Sequence, residues 1–413
     1  MNRPVESVVL ILQSTAAGGM ETHVVDLAAE YRERGLRTVV IVPGGEAFDG
    51  VAARVASAGA TLERLTTEAR NGRVAQLRAW WRLVRLLRGA RADVVHLHTG
   101  GATGGLGVTA TARLFTNATI AITEHDVPAE HPGRPQRLAR LALDRSAHLV
   151  IAVSRRNARI RRQRLGVRSR NFAAVLNGVP VPEDDRCQRS SNRTAIRAGT
   201  AIPDDAVVLG SLVRLAEGKG LDTLLRAFAI VRGAASCKLL LVGDGPLRLE
   251  LEVLARELGI SGDVLFAGNQ SQPLPYLHAM DAFVLPVPAG SMSIALLEAM
   301  AAGLPPVITF CGPEEAVIPG ETGLGASPND PAALAEALRA LVTNPGLRAE
   351  LGAAAAAHVA RNFSTRRVAD DLLEAYRDAR AGRISARLSA DGPPNPRPGE
   401  LQRPPAETRT ASP

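Results

Sequence analysis

Short runs of apolar residues alternate along the chain with amphipathic stretches of about 12 to 20 residues. The first half carries such runs at 8–12, 38–42 and 93–97, and the second half repeats the alternation from residue 206. Each run is continuously apolar, as in parallel strands whose sheet is covered by helices on both faces. The pattern therefore predicts an α/β protein with two doubly wound parallel sheets, one in each half of the chain.

The stretch between the halves, residues 181–205, is rich in Pro, Asp, Arg, Ser and Asn and has no sustained periodicity. This composition is typical of an exposed interdomain linker. We therefore predict an N-terminal domain over 1–180 and a C-terminal domain over 206–360, followed by a terminal helix over 361–380 that returns to the N-terminal domain. The Pro- and Arg-rich tail, 381–413, is expected to be disordered because it cannot bury enough apolar surface to fold.

The composition of the chain is that of a folded globular protein, with 46% hydrophobic and 22% charged residues. Lys and Arg number 49 against 41 Asp and Glu, which gives a net charge of +8. Three explanations of this excess stay open at this point: codon usage, attraction to phosphates or nucleic acid, and attraction to an anionic membrane surface.

The three cysteines, Cys187, Cys237 and Cys311, are widely spaced and odd in number. They predict neither a disulfide framework nor a zinc site, and they favour a reducing cytoplasm. The apolar run at 8–12 is too short for a signal-peptide core or a membrane span. We therefore expect a cytoplasmic protein, for which contact with the inner face of the cytoplasmic membrane would be peripheral.

Two glycines, Gly18 and Gly19, separate the first predicted strand from the next helix. A helix N-terminus at the carboxyl edge of a sheet offers backbone N–H groups and a positive dipole to an anion, and glycine lets the backbone approach that anion closely. The same pair is equally compatible with an ordinary tight turn. Gly243 lies in a second loop of this kind, for which a plain turn is again the alternative.

Two cations, Arg214 and Lys219, lie between a predicted strand and the next helix in the second half. A guanidinium and an ammonium together could neutralise a leaving diphosphate without a metal ion, although solvated loop cations are the simpler interpretation. Further on, a predicted helix begins near Ser293 and places Glu298 in its second turn among apolar residues. A carboxylate buried there needs hydrogen-bond donors, and ribose hydroxyls are suitable ones.

The order of these segments resembles retaining glycosyltransferases of family 4, the glycosyl transferases group 1, over nearly the whole chain before the tail. The resemblance rests on six motifs taken in order: Gly18 to His23, Thr123 to Asp126, Val175 to Val179, Arg214 with Lys219, Val242 to Pro246, and Leu296 to Pro305. It implies the GT-B fold, in which two Rossmann-like domains face a central cleft. It also implies transfer of a sugar from a nucleotide-sugar donor to a glycan, lipid-linked or small-molecule hydroxyl acceptor, with retention of anomeric configuration.

The same resemblance implies roles for individual residues. Arg214 and Lys219 would hold the diphosphate, Glu298 would hold the ribose, and His125 would approach the sugar from the acceptor side. For His125 a structural hydrogen bond remains the alternative, and its neighbours on the preceding strand, His96 and His98, are expected to pack. No metal and no cofactor are implied. The other donor-binding residues implied are Gly18, Gly19, Gly243, Asn269, Ser291, Met292, Ser293 and Ile294.

One motif departs from the family pattern. The Glu-x7-Glu signature that ends at Glu298 begins with Gly290 instead of a glutamate. Losing a carboxylate that accepts sugar hydroxyl hydrogen bonds costs about 1.5–3 kcal/mol per bond. The alternative to an active enzyme is therefore a homologue that does not transfer a sugar, or that does so only with a partner.

Two arginine-rich segments bear on the partners of the chain. Residues 73–91 are predicted to form a helix with arginines on one face and two tryptophans, for which packing over the sheet is favoured over an interfacial position. Residues 155–170 contain eight arginines and have only Phe172 nearby as an aromatic, which weakens a nucleic-acid interpretation. We expect no nucleic acid partner, and we hypothesise that 155–170 docks on anionic lipid.

Overall fold

The computed structural model describes residues 4–14, 18–65, 72–100, 105–125, 134–165, 172–181, 186–288, 292–309 and 315–383, with the backbone alone at 72, 73, 75, 134–137, 139, 140 and 162–165. The strands are β1 Ser7–Gln13, β2 Arg37–Pro43, β3 Thr61–Leu65, β4 Val94–Thr99, β5 Thr119–Glu124, β6 Leu149–Ala152, β7 Phe172–Ala174, β8 Val207–Leu212, β9 Cys237–Val242, β10 Val264–Gly268, β11 Ala282–Leu285, β12 Pro306–Thr309 and β13 Leu324–Ala326. The helices are α1 Gly19–Glu33, α2 Asp49–Ser57, α3 Gly72–Ala90, α4 Leu106–Phe115, α5 Arg134–Ser146, α6 Arg155–Leu165, α7 Arg186–Gly199, α8 Leu221–Val231, α9 Arg248–Glu257, α10 Leu274–Ala279, α11 Ile294–Ala301, α12 Pro331–Thr343, α13 Pro345–Asn362 and α14 Thr365–Arg380.

The described residues fold into two units. The N-terminal unit contains those up to Pro180 together with those from Phe363 onward, and the C-terminal unit contains those from Val181 to Asn362. The chain leaves and re-enters the N-terminal unit side by side, because Val179 and Ser364 form a β-bridge. The N-terminal unit is therefore discontinuous in sequence, and its last helix, α14, packs against α1.

In the N-terminal unit, seven described strands form one parallel sheet in the order β3-β2-β1-β4-β5-β6-β7. One face packs against apolar residues of α1, α2 and α14, and the other against those of α3, α4 and α5. Because both faces are covered, the central strands β1, β4 and β5 are buried along nearly their whole length.

In the C-terminal unit, six described strands form a second parallel sheet in the order β10-β9-β8-β11-β12-β13. Its core joins strand residues to α8, α9, α12 and the start of α13. The prediction of two doubly wound α/β sheets from continuous apolar runs is confirmed.

Helix α7 lies where the sequence predicts an irregular linker over 181–205, and that prediction is wrong for 186–199. Arg197 on this helix is buried, and its guanidinium donates to the carbonyl oxygen of Ala279 at 3.2 Å and pairs with Asp281 at 2.7 Å. A helix held by a buried guanidinium needs few apolar residues, so hydrophobic periodicity does not reveal it. The C-terminal unit accordingly begins well before residue 206.

The end of the described chain belongs to α14. Of the tail predicted to be disordered, only 381–383 are described, and they follow directly on that helix. Residues 384–413 lie outside the described residues. Among the helices that the structure describes, none is both long and apolar enough to cross a lipid bilayer.

Candidate functional site

The predicted cations and the predicted ribose-binding glutamate follow two neighbouring strands of the second sheet, β8 and β11. The strand order reverses between β8 and β11, and open parallel sheets bind ligands outside the carboxyl ends of the strands at such a point. Arg214 and Lys219 follow β8, and Ser293 and Glu298 follow β11. The sequence-predicted residues of this half therefore converge on the carboxyl edge of one sheet.

The loop after β8 and the loop after β11 are in close backbone contact at a glycine. Gly220, the residue before α8, has φ +66°, and a Cβ added there would lie 2.1 Å from the carbonyl oxygen of Pro286, directly after β11. Only glycine permits this contact. The loop that carries Lys219 is thereby fixed against the end of β11.

A second contact of this kind explains the glycines of the loop after β9. Gly243 has φ +136°, and a Cβ there would lie 2.1 Å from the carbonyl oxygen of Val213; at Gly245 the clash would be with Leu215 at 2.3 Å. The backbone N–H of Leu215 donates to the carbonyl oxygen of Asp244 at 3.1 Å. The two loops thus form one rigid cradle beside Arg214, which we call the glycine cradle (residues 213–220 and 243–247).

The two cations of the glycine cradle are available to a ligand. Arg214 is exposed and Lys219 is half-buried. Among the described residues, neither side chain has an ion pair or a hydrogen bond to a protein group. Asn269 is exposed directly after β10, where the carbonyl oxygen of Gly268 accepts from the N–H of Gly243 at 2.8 Å.

Helix α11 begins at Ile294 with Ser293 as its N-cap, in agreement with the predicted start near Ser293. The Ser293 hydroxyl caps the helix by accepting from the N–H of Leu296 at 3.3 Å, which leaves the N–H groups at the very start of the helix without intrahelical acceptors. Met292 and Ile294 are buried, so their contribution to a ligand would come through the backbone. Glu298 is half-buried in the second turn. Gly290 and Ser291 lie outside the described residues.

The first sheet has its own reversal point, between β1 and β4, and Gly18 and Gly19 follow β1 there. The N–H of Gly18 donates to the carboxylate of buried Glu21 at 2.7 Å, so Glu21 fastens the loop to the first turn of α1. The other carboxylate oxygen, Oε1, is buried without a partner among the described residues. In the sequence Glu21 is one residue of the Gly18 to His23 motif, and nothing in that motif indicates its anchoring role.

Four of the eight histidines of the chain form a buried cluster near this edge. His96 and His98 lie on β4, His125 follows β5, and His23 comes from α1. The ring centroids of His23 and His125 are 5.6 Å apart, and those of His96 and His98 are 4.1 Å apart. The expectation that His96 and His98 pack is correct: His96 packs against His98 and Tyr376, and His98 packs against His125 itself. We call the four histidine rings the histidine cluster.

A directed chain of hydrogen bonds enters the histidine cluster from α14. Tyr31 donates to the hydroxyl of Tyr376 at 3.2 Å, and the Tyr376 hydroxyl lies 2.6 Å from Nδ1 of His96. The buried O–H of Tyr376 needs an acceptor of its own, and Nδ1 of His96 is the described atom that lies within reach. With Nδ1 as the acceptor, Nε2 of His96 donates to the Thr123 hydroxyl at 2.7 Å. Tyr376 therefore fixes the tautomer of His96 from 280 residues away.

The proton on His125 is fixed by a similar argument. Nδ1 of His98 and Nε2 of His125 are 3.1 Å apart, and Nε2 of His98 is buried without a partner among the described residues. A buried N–H without an acceptor is costlier than a buried lone pair, so His98 carries its proton on Nδ1 and donates to His125. His125 then carries its proton on Nδ1.

Burial keeps the histidine cluster neutral at pH 7. It lowers the pKa of His23 to about 4 and that of His96 to about 3. The pKa values of His98 and His125 also lie well below the usual range, first because of burial and then because the rings would repel one another when charged. His125 can thus act as a neutral hydrogen-bond donor, not as an imidazolium acid.

One arginine of the predicted lipid-docking segment 155–170 has a structural role instead. Arg161 is buried and pairs with Glu124, directly before His125, and with Asp144 on α5. Its guanidinium also lies over the ring of Phe172, 5.2 Å from the centroid. The hypothesis that 155–170 is a surface cluster is therefore wrong at Arg161, because two buried carboxylates require a buried cation.

Among the described residues, no group of three or more His, Cys, Asp or Glu side chains is placed to hold a metal ion, the histidine cluster included. Nδ1 of His23 faces the carbonyl oxygen of Gly178, both ring nitrogens of His96 face hydroxyls, and Nδ1 of His98 faces Nε2 of His125.

Comparisons with known proteins point to one family. The family model described as Glycosyltransferase Family 4 matches residues 17–182, and the model described as Glycosyl transferases group 1 matches residues 192–358. A D-inositol 3-phosphate glycosyltransferase of Nocardioides sp. is 30% identical over 405 residues, 88% of this chain and 86% of that protein. The lipopolysaccharide core biosynthesis glycosyltransferase LpsE of Rhizobium meliloti is 36% identical over 179 residues, 43% of this chain and 52% of that protein. The match thus spans about half the length of LpsE, as it does of LpsD from the same organism.

Solved structures share the fold at low sequence identity. A glycosyltransferase from Rickettsia africae superposes with a TM-score of 0.76 at 16% identity, covering 91% of this chain and 98% of that one. HepE of Anabaena, in complex with UDP and glucose, gives a TM-score of 0.75 at 23% identity, covering 89% and 98%.

Proposed function

Because the chain belongs to the glycosyltransferases of family 4 and has their GT-B fold, we propose that it transfers a sugar from a nucleotide-sugar donor to a hydroxyl acceptor. We further propose retention of anomeric configuration, and an acceptor that is a glycan, a lipid-linked sugar or a small molecule in glycan, polysaccharide or glycolipid biosynthesis. The observation that carries the proposal is the glycine cradle, which presents Arg214 and Lys219 without protein partners among the described residues.

The proposed chemistry rests on stabilising the leaving group. As the bond between the anomeric carbon and the diphosphate breaks, negative charge grows on the diphosphate oxygens. Arg214 and Lys219, held by loops that need no rearrangement, would neutralise that charge, so the transfer would require no metal ion. The acceptor hydroxyl would attack the sugar face that the diphosphate leaves, and His125 would donate a hydrogen bond from Nδ1 at the acceptor side.

The donor would lie along the carboxyl edge of the second sheet. Glu298 would accept from the ribose hydroxyls, Asn269 would lie near the base, and the start of α11 with Gly243 would contact phosphate and sugar. HepE, which shares the fold, is solved with UDP and with UDP-glucose, and this supports a nucleotide-sugar donor. Gly18 and Gly19 would face the donor phosphate.

A thermal-shift panel of UDP, GDP, ADP and TDP sugars tests the proposal. A ligand at about one hundred times its dissociation constant adds about 2.7 kcal/mol to the free energy of unfolding. One nucleotide class should raise the unfolding midpoint, and Arg214→Gln or Lys219→Gln should remove that rise while leaving the ligand-free midpoint unchanged. Arg226→Gln, an exposed arginine on α8, is the matched control. A rise that survives both site variants would refute the site.

Product analysis separates transfer from binding alone. With the donor named by the panel, release of the nucleoside diphosphate and the anomeric NMR signal of the product should show transfer with retention. Donor binding without release or transfer, under every acceptor class tried, would support the alternative that the glycine at 290 leaves a non-catalytic homologue. Gly290→Glu is the variant that asks whether the missing carboxylate is the cause.

A further inference from the structure

The helices α3, α4 and α5 of the N-terminal unit expose large apolar side chains on their outer faces. On α3, Leu77 is 55% and Trp81 52% exposed; Leu114 on α4 is 77% exposed, and Leu138 on α5 is 67% exposed. The opposite faces of the same helices pack into the core under the sheet, through residues such as Leu83 and Leu143. Each helix therefore carries apolar side chains on both its sheet-facing and its solvent-facing side. Packing of the core explains only those that face the sheet.

The three helices form one continuous layer. Trp80 on α3 donates through its indole N–H to the Thr111 hydroxyl of α4 at 3.0 Å, and its ring stacks edge-on against Phe115 and Trp81. Helix α4 is joined to α5 in turn by a hydrogen bond of 2.7 Å between the hydroxyls of Thr109 and Ser146. The exposed side chains thus lie on one fixed surface, which we call the outer helix layer.

The charge of the outer helix layer has a single sign. The sequences of α3 and α4 contain no Asp or Glu, and α5 contains only Asp144, which is buried against Arg161. Exposed arginines lie among the apolar side chains; they are Arg78, Arg82, Arg85 and Arg88 on α3, Arg113 on α4 and Arg145 on α5. The expectation that α3 is a core-packed helix with solvated arginines is correct, but it does not account for the apolar side chains exposed beside those arginines.

The C-terminal unit offers a useful contrast. Helix α9 also exposes apolar side chains, Leu249 at 68% and Val253 at 38%, but Glu250, Glu252 and Glu257 lie on the same helix. An exposed leucine alone is common on protein surfaces. Exposed Trp and Leu combined with unopposed arginines are the features of interfacial binding to anionic lipid.

We propose that the outer helix layer is a docking surface for an anionic phospholipid membrane, with Trp81, Leu77, Leu114 and Leu138 entering the headgroup boundary and the arginines pairing with lipid phosphates. The surface differs from the 155–170 segment considered from sequence. The proposal does not depend on the transferase activity, and its test uses no substrate.

Vesicle co-sedimentation of the full chain gives the first test. The protein should bind vesicles of phosphatidylcholine with phosphatidylglycerol and not vesicles of phosphatidylcholine alone, and added salt should weaken the binding. Each arginine near an anionic surface contributes about fivefold, so replacing Arg78, Arg82 and Arg85 with Gln should weaken binding about a hundredfold. Replacing the exposed Arg226, Arg256 and Arg339 of the C-terminal unit with Gln removes the same charge and should have little effect.

The apolar contribution is tested with a second pair of variants. Leu77→Ser with Trp81→Ser should weaken binding by about tenfold or more. The control is Ile230→Ser with Leu249→Ser, which removes similarly exposed apolar side chains from the C-terminal unit.

The tryptophans supply a direct readout, since the two in the chain are Trp80 and Trp81. Emission should shift to shorter wavelength on anionic vesicles and be quenched by brominated acyl chains, and Trp81→Phe should abolish the shift. Failure to bind anionic vesicles at low salt would overturn the proposal, as would equal binding to neutral vesicles. Binding unaffected by the surface variants, or a layer that proves to be buried between two copies by light scattering, would also overturn it.

Discussion

The carboxyl edges of the two sheets hold their polar side chains in different ways. At the carboxyl edge of the sheet in the N-terminal unit, the histidine cluster, Tyr376 and the Arg161 ion pairs are buried, and most of their polar atoms bond to one another. At the carboxyl edge of the sheet in the C-terminal unit, backbone contacts at Gly220 and Gly243 build the glycine cradle, and its cations stay accessible. The first edge is fixed by its side chains, so changing them should damage the fold; the second is fixed by its backbone, so its side chains can serve a ligand.

The largest effect that this difference predicts is at Arg161. Arg161→Ala leaves Glu124 and Asp144 without their buried cation, and we expect a loss of about 3–5 kcal/mol in the free energy of unfolding. Urea unfolding followed by tryptophan emission measures it, because both tryptophans lie on α3 in the N-terminal unit. Arg159→Ala, an exposed neighbour on α6, should change stability by about 0.5 kcal/mol or less. Equal effects of the two variants would show that the buried pairs add nothing.

Gly243→Ala is the sharpest change at the other edge. The new Cβ would meet the carbonyl oxygen of Val213 at a φ that side chains avoid, and we expect a loss of about 3 kcal/mol together with loss of nucleotide binding. Calorimetric unfolding and the thermal-shift panel measure the two effects. At Gly262 an added Cβ meets nothing within 4 Å, so Gly262→Ala is the control. A stable Gly243→Ala protein that still binds nucleotide would show that the loop is not rigid.

A smaller effect is expected where α14 meets the histidine cluster. Tyr376→Phe removes the hydroxyl that donates to Nδ1 of His96 and leaves that nitrogen buried without a donor, at a cost of about 1–3 kcal/mol. Tryptophan-detected urea unfolding again reports the change. Tyr276→Phe, on α10 in the C-terminal unit, is the matched control. If Tyr376→Phe left the free energy of unfolding unchanged, the hydrogen-bond chain would not stabilise the N-terminal unit.

A further predicted effect, which no substitution is needed to produce, is a dependence of stability on pH. Unfolded histidines take up protons near pH 6.5, whereas burial lowers the pKa of His23 to about 4 and of His96 to about 3. The folded state therefore binds fewer protons over this range, and the free energy of unfolding falls as pH is lowered below about 6.5, by about 1.4 kcal/mol per pH unit for each proton excluded. Asp26, whose pKa burial raises to about 6, acts in the opposite direction and offsets one histidine between about pH 6 and 4.

Urea midpoints from tryptophan emission at several values between about pH 7 and pH 5 test this dependence. His96→Asn should flatten the decline. A midpoint that stays constant, or that rises on acidification, would mean that the histidines are protonated in the folded state.

The same difference between the two sheet edges explains which of these residues could be predicted from the sequence. The glycine cradle consists of two short loops that each follow a strand, so a strand, a glycine pair and a cation indicate Gly243, Arg214 and Lys219 as candidates from the sequence. The histidine cluster joins segments far apart in the chain, and nothing near His96 indicates that Tyr376 will bond to it. Likewise Arg161 reads as one surface arginine among many, because its burial depends on carboxylates of two other elements.

The linker prediction failed for the same physical reason. Helix α7 has no strong apolar stripe, and the group that seats it, Arg197, pairs with Asp281, 84 residues further along the chain. Hydrophobic periodicity indicates which residues of a local segment bury apolar side chains, and it does not indicate ion pairs with residues far away in the sequence. The fold class was accessible because the strands bury carbon continuously.

The bridge between Val179 and Ser364 has a consequence for synthesis of the chain on the ribosome. The C-terminal unit is one uninterrupted segment between these residues, so it can complete its sheet while α14 is still to be made. The N-terminal unit, begun first, must wait for that helix before His96 receives its tyrosine partner. The part of the protein that is synthesised first would therefore be the last to finish folding, and during that interval the face of its sheet reserved for α14 would be open to chaperones.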